Sequence, residues 1–192
     1  PGSTAKTALD VVAAAKAKPG MTYSSGGNGT SHHLSGVLFG QLMGIELLHV
    51  PYKGAPQGVM AVMSGEVNMG FFNTPTVISQ IKAQKLKALG VTSLKRSALL
   101  PELPTLDASG VTGYEVSTWF GFVAPAGTPA ELITRLHSEI GKILAMPEVR
   151  DKLAAQGFEL VPLQPSAAFA QLIRDDTAEW PAIIKASGAT VD

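Results

Sequence analysis

One short run, Tyr23-Ser24-Ser25-Gly26-Gly27-Asn28-Gly29-Thr30-Ser31-His32-His33-Leu34, leaves few folds open to this chain. Met21 to Ser25 reads as a short strand, and the glycines with Asn28 supply a turn that can take positive φ. Hydroxyl residues then open a helix in which Leu34, Val37, Leu38 and Leu42 recur at helical spacing up to Gly44. A helix that starts directly on a glycine turn presents unpaired N–H groups and the positive end of its dipole. It is a ready seat for an anion.

The same alternation continues along the chain. Residues 5–18 read as a helix with Leu9, Val12 and Ala13 on one face, stopped by Pro19-Gly20. After the glycine turn and its helix come a strand over 45–50, a loop at Pro51-Tyr52-Lys53-Gly54 and a short helix over 59–63. A third strand over 67–72 leads through Asn73-Thr74-Pro75 into a helix to about Ala83, and a fourth strand is expected over 86–92. Strands alternating with short helices make an α/β domain with a mostly parallel sheet, in which the glycine turn, the Pro51 loop and the Asn73 loop share the carboxyl edge.

From Arg96 to Gly113 the chain is rich in Pro, Gly and Leu and reads as an irregular connection; 114–124 reads as a buried strand or crossover. Beyond it the pattern turns helical. Thr128-Pro129-Ala130-Glu131 has the form of a capping box, opening a helix with Leu132, Leu136, Ile140 and Ile143 on one side. Helices over 147–156 and from Ser166 follow, the last kinked at Pro181, with a strand candidate at 158–162. These greasy-sided helices need a surface to cover.

Composition removes several function classes. Of 192 residues, 45% are hydrophobic and 16% charged, enough apolar mass for a core and too little charge for a disordered chain. Fifteen basic residues balance 15 acidic ones without a basic block, so no nucleic-acid partner is expected. No window is apolar enough to span a bilayer as a helix. With no cysteine there is no thiolate site, and the four histidines lack carboxylates at ligand spacing, so neither a metal nor another cofactor is expected.

Ser25, Gly29, Thr30 and Ser31 are the main candidate ligand contacts, since amides and hydroxyls together bind a carboxylate without a formal cation. The alternative is an ordinary tight turn in which Thr30 or Ser31 only caps the helix. The run lacks the third glycine of a dinucleotide fingerprint and the Gly-Lys-Ser/Thr of a P-loop. His33 either donates to a ligand or anchors the loop; His32 points about 100° away on the helix, so the two do not serve one metal. Tyr52 and Lys53 in the second loop, Asn73 in the third and Trp119 at the crossover complete the candidates. Each has a plainer reading as a solvated Lys, a turn-forming Asn or a core Trp. No carboxylate pair or Ser-His-Asp order supports catalysis, so no catalytic residue is assigned.

Ser25 to Leu34, Val50-Pro51-Tyr52-Lys53-Gly54, Ser64-Gly65-Glu66-Val67, Lys87 to Thr92, Arg96-Ser97, Leu103-Pro104-Thr105-Leu106, Trp119-Phe120-Gly121 and Ala124-Pro125-Ala126-Gly127-Thr128-Pro129 occur in order. In these segments the chain resembles the substrate-binding receptors of tripartite tricarboxylate transporters, the Bug or TctC-like family. The resemblance implies a periplasmic, two-domain, type II binding-protein fold of the Venus-flytrap kind. It implies a non-enzymatic receptor that captures a small carboxylate or dicarboxylate for the transporter's membrane subunits. It further implies that residues 1–118 form domain two with its preceding helix and that 119–192 hold the crossover and carboxy-terminal helices of domain one. The amino-terminal part of domain one would then be absent, and the apolar surface it leaves would allow a dimer of the truncated chain. Phe72 stands where family members often carry an acidic residue, which favours a plain or aromatic carboxylate over an amino acid. Two other functions remain open at this point. One is a sensor that docks on a signalling system; the other is a small α/β enzyme with an oxyanion or phosphate site at the glycine turn.

Overall fold

The computed structural model describes residues 2–189, and it divides into two units. One comprises the described residues of Pro1–Thr118 and Pro181–Asp192; the other is Trp119–Trp180.

In the first unit, helix α1 (Ala8–Ala17) begins on a reciprocal cap. The Thr7 hydroxyl accepts the Asp10 amide at 3.1 Å, and the Asp10 carboxylate accepts the amides of Lys6 and Thr7 at 2.7 and 2.9 Å. Those amides hold the Asp10 carboxyl below its ordinary range. The helix buries Ala8, Val11, Val12 and Ala15, whereas Leu9 lies at the rim against Gly110. The buried face is thus turned from the expected one, which included Leu9 and Ala13.

Strand β1 (Met21–Ser25), helix α2 (Ser31–Met43), strand β2 (Leu47–Pro51), helix α3 (Ala55–Ser64), strand β3 (Met69–Gly70) and helix α4 (Thr74–Lys82) follow as the alternation predicts. The sheet is parallel throughout, ordered β2-β1-β3, with Tyr23 opposite both His49 and Met69. β3 is shorter than expected because the Asn68 side chain takes the Thr22 amide at 2.9 Å, replacing a backbone rung. The fourth strand does not form. Pro104 has no N–H to give, so contact between 91 and 104–106 shrinks to Val91 N–H on the Pro104 carbonyl and Leu106 N–H on the Val91 carbonyl.

The core lies where β1, α2 and the 111–116 segment meet. Tyr23, Phe39 and Tyr114 are buried and pack around Phe71. Each tyrosine hydroxyl finds a backbone acceptor on α2: Tyr23 gives to the His33 carbonyl at 3.1 Å and Tyr114 to that of Ser35 at 3.0 Å. A Cβ on Gly36 would fall inside the Tyr23 ring, so glycine is required at that point of α2. Leu42, expected on the buried stripe, is 41% exposed, and Phe39 holds the core instead. Helix α8 (Pro181–Ser187) also packs on α2, with Ala189 against Gly29.

The second unit carries helices α5 (Ala130–Ala145), α6 (Pro147–Ala155) and α7 (Ser166–Glu179). No capping box opens α5: the helix starts from Pro129, and the Thr128 hydroxyl donates to the Pro125 carbonyl at 2.7 Å instead. Gly127, at φ 83°, makes a tight turn of 125–128 that brings the Thr128 amide to the Pro125 carbonyl at 3.2 Å and captures the hydroxyl with it. Neither 119–124 nor 158–162 forms a strand. At Pro181 the chain begins a separate helix, so the expected kink is a break. No described helix is long and apolar enough to cross a membrane.

Candidate functional site

Parallel pairing brings the turns after β1, β2 and β3 to one edge of the first unit. The β1–α2 turn and the Pro51 loop are locked together. Tyr52 N–H donates to the Ser25 carbonyl at 3.2 Å and Gly54 N–H to the Gly26 carbonyl at 3.1 Å. The fit is close: a Cβ on Gly26 would lie 2.9 Å from the Ala55 nitrogen. Gly27 and Gly29 take φ of 134° and 71°, the left-handed values the sequence anticipates.

Most polar groups of the turn are spent on the turn itself. Ser25 is fully buried; its Oγ accepts the Gly27 amide at 3.0 Å and lies 2.6 Å from His49 Nε2. The Gly29 amide donates to His33 Nδ1 at 3.2 Å. The Thr30 hydroxyl gives its proton to the Gly27 carbonyl at 2.7 Å and accepts the His33 amide at 3.4 Å, so Thr30 is the N-cap. His33 is 5% exposed and stacks on His49 with ring centres 3.7 Å apart and planes 6° from parallel. Burial holds both imidazoles below their ordinary value; for His49, which also faces the His33 charge, the result is about 4. Both rings are neutral near pH 7, and they brace the turn from beneath.

Beside the exposed Asn28 amide, two donors at the helix start stay uncommitted among the described residues. The amides of Ser31 and His32, first and second in α2, meet no acceptor among the described residues, as expected of the opening turn of a helix. The Ser31 side chain lies beside them, half-buried. His32, which the sequence argument set aside, is 9% exposed; its Nδ1 accepts the Gly26 amide at 3.4 Å, and its buried Nε2 has no hydrogen-bond partner. Burial lowers its pKa, and the Asn73 side chain offsets part of that effect. No sequence signal marks His32, because its helical position alone points it away from His33.

Of the other candidates, Tyr52 is half-buried and donates to Glu66 Oε1 at 2.7 Å, a bond that raises its pKa. Lys53 is exposed. Asn73 is half-buried at the start of α4, and its side chain makes no capping bond. Trp119 belongs to the second unit, where it packs edge-on against Phe169 and donates to Asp176 at 3.2 Å. The structure therefore brings Ser25, Gly29, Thr30, Ser31, His33, Tyr52, Lys53 and Asn73 to the sheet edge or its loops.

Residues 1–189 fit the family described as TctC, tripartite tricarboxylate transporter family receptor. The chain belongs to that family. A UPF0065 protein from a Pseudomonas species, encoded in a tcbD–tcbE intergenic region, is 39% identical over 173 residues, 89% of this chain and 51% of the relative. Protein BugT of Bordetella pertussis is 31% identical over 93% of this chain and 55% of its own length. Among solved structures, R. palustris Rpa4515 with adipate superposes with a TM-score of 0.89 at 29% identity, covering 98% of this chain and 63% of that one. The chain thus spans about half the length of the curated relatives it matches. The family and its structural neighbours are solute-binding proteins rather than enzymes, and they carry the type II binding-protein fold the sequence predicts.

Proposed function

We propose that this chain is the ligand-holding part of a periplasmic solute-binding receptor that captures a small carboxylate or dicarboxylate for the membrane subunits of a tripartite tricarboxylate-type transporter. The observation that carries this reading is the pair of uncommitted amides at Ser31 and His32, opening α2 at the carboxyl edge of a parallel sheet. Two converging N–H groups and the helix dipole suit one carboxylate oxygen pair, and no cation is needed. Ser31 adds a hydroxyl, Tyr52 and Asn73 lie on the flanking loops, and exposed Lys53 speeds the approach of an anion. Ser25, Gly29, Thr30 and His33 serve by holding those amides in place. The adipate bound by Rpa4515 and the periplasmic description of BugD support the ligand class and the location. In this reading residues 1–118 belong to one lobe of the receptor, and Trp119 with the helices of the second unit to the other.

Ser31→Pro tests the reading with little disturbance to the fold. Proline is tolerated at the first helical position, and Thr30 already has the extended backbone (φ −69°, ψ 158°) that a following proline demands. The variant loses one amide and one hydroxyl. Titration calorimetry of the natural protein carrying this sequence, with adipate and malate as probes, should show binding weakened about 10- to 100-fold, the range of one or two charge-assisted hydrogen bonds. Unchanged affinity in a folded variant would overturn the proposal.

A further inference from the structure

We infer that His32 is a positioning residue that turns Asn73 into a ligand donor, an inference that rests on the receptor reading above. Two under-used polar groups belong to touching segments, since the ring of Phe72, the residue before Asn73, lies 5.2 Å from that of His32. His32 Nδ1 accepts the Gly26 amide, so in the neutral ring the proton resides on Nε2, and that N–H has no acceptor although it is buried. Buried donors in folded proteins are nearly always paired, and an exception calls for a reason. Asn73 stands at the N-cap of α4, where an Asn side chain ordinarily bonds the helix amides, yet it makes no such bond. Phe72 itself offers no lone pair to the ring, which leaves Asn73, one residue on, as the polar side chain of that segment.

The chemistry fixes what the pair can do. Nε2–H is a donor only, so the Asn73 atom that would close this missing bond must be the amide oxygen. With its oxygen turned to His32, Asn73 directs its NH2 group away from the ring. The ligand is thereby offered a third neutral N–H donor on a loop separate from Ser31. Gly26 N–H, the imidazole and the Asn73 amide then form a chain running from the β1–α2 turn to the β3–α4 loop. A rim in which N–H donors predominate favours an anionic group over an ammonium.

The test uses the natural protein carrying this sequence, with adipate and malate as probes, and three variants: His32→Phe, Asn73→Ala and the double substitution. Phe keeps the packing on Phe72 and removes the donor. Each single variant should weaken binding about tenfold, and the double variant about tenfold as well, because His32 acts through Asn73. A His32→Phe variant that binds as the parent does, or a double variant whose losses multiply, overturns the inference and leaves the receptor reading standing. Nitrogen-15 NMR of the imidazoles in the unliganded parent gives a readout independent of binding. It should show His32 protonated at Nε2, and a proton at Nδ1 would also refute the inference. If the parent binds no carboxylate while the tautomer is as stated, the receptor reading is what fails, and the role assigned to His32 falls with it.

Discussion

The two units treat their apolar residues in opposite ways. In the first, Tyr114 and Val111 are wholly buried, Tyr23 and Phe39 nearly so, and every tyrosine hydroxyl in that core has a backbone partner. In the second, Gly157 is the one buried residue between Trp119 and Trp180, while Phe122, Val123 and Val161 are 79–82% exposed. The first unit owns its core. The second has helices with apolar faces and, among the described residues of that unit, no sheet to cover them. Local helix signals are thus sufficient to form helices, but a hydrophobic core needs elements distant in sequence to supply its other side.

Substitutions should separate the units sharply. Tyr114→Ala removes a fully buried ring and leaves the Ser35 carbonyl without its donor. A loss of about 3–5 kcal/mol is expected in denaturant unfolding followed by near-UV circular dichroism. Gly36→Ala tests the same core by overpacking, since the new methyl group meets the Tyr23 ring. Here the expected loss is about 1–3 kcal/mol, and a loss near zero would show that α2 and β1 can move apart.

The stacked histidines give a pH signature confined to the first unit. His49 titrates at about 4 in the fold against an ordinary 6.5, so the unfolded chain binds the extra proton first. Its contribution is intact above pH 6.5 and is lost as pH falls toward 4; with the ring partly open to solvent, the loss is about 1–2 kcal/mol. Thermal unfolding of the parent and of His49→Gln across that window should differ in slope, and equal slopes would remove the burial of His49 as the cause. The smallest effect on stability belongs to the second unit. Replacing Phe122 and Val123 with Ser should change unfolding free energy by less than about 0.5 kcal/mol. Sedimentation velocity should show less self-association if that surface pairs two copies; a large loss of stability would mean these side chains are part of a core after all.

How much of this was written in the chain differs from element to element. β1, the glycine turn and α2 follow from Ser24-Ser25-Gly26-Gly27 and the hydroxyls after it, because backbone freedom and capping are local properties. The Leu86–Thr92 strand failed for a reason outside its own residues: Pro104, a dozen positions away, could not supply the rungs. The Thr128 capping box failed because a nearer acceptor, the Pro125 carbonyl, won the hydroxyl. At the site, the sequence marked the loop and named Ser31 among its contacts, but not which amides the turn itself uses. Gly29 and Thr30 spend theirs on His33 and Gly27, whereas those of Asn28, Ser31 and His32 meet no acceptor among the described residues.

Sequence alone determined the α/β alternation and the edge its loops share, since periodicity and turn chemistry are local, and its ordered motifs marked the family. Tertiary structure decided which side chains are interior. Whether an imidazole is a donor, a brace or an unpaired nitrogen depends on groups brought to it from other strands and loops, as His32, His33 and His49 show.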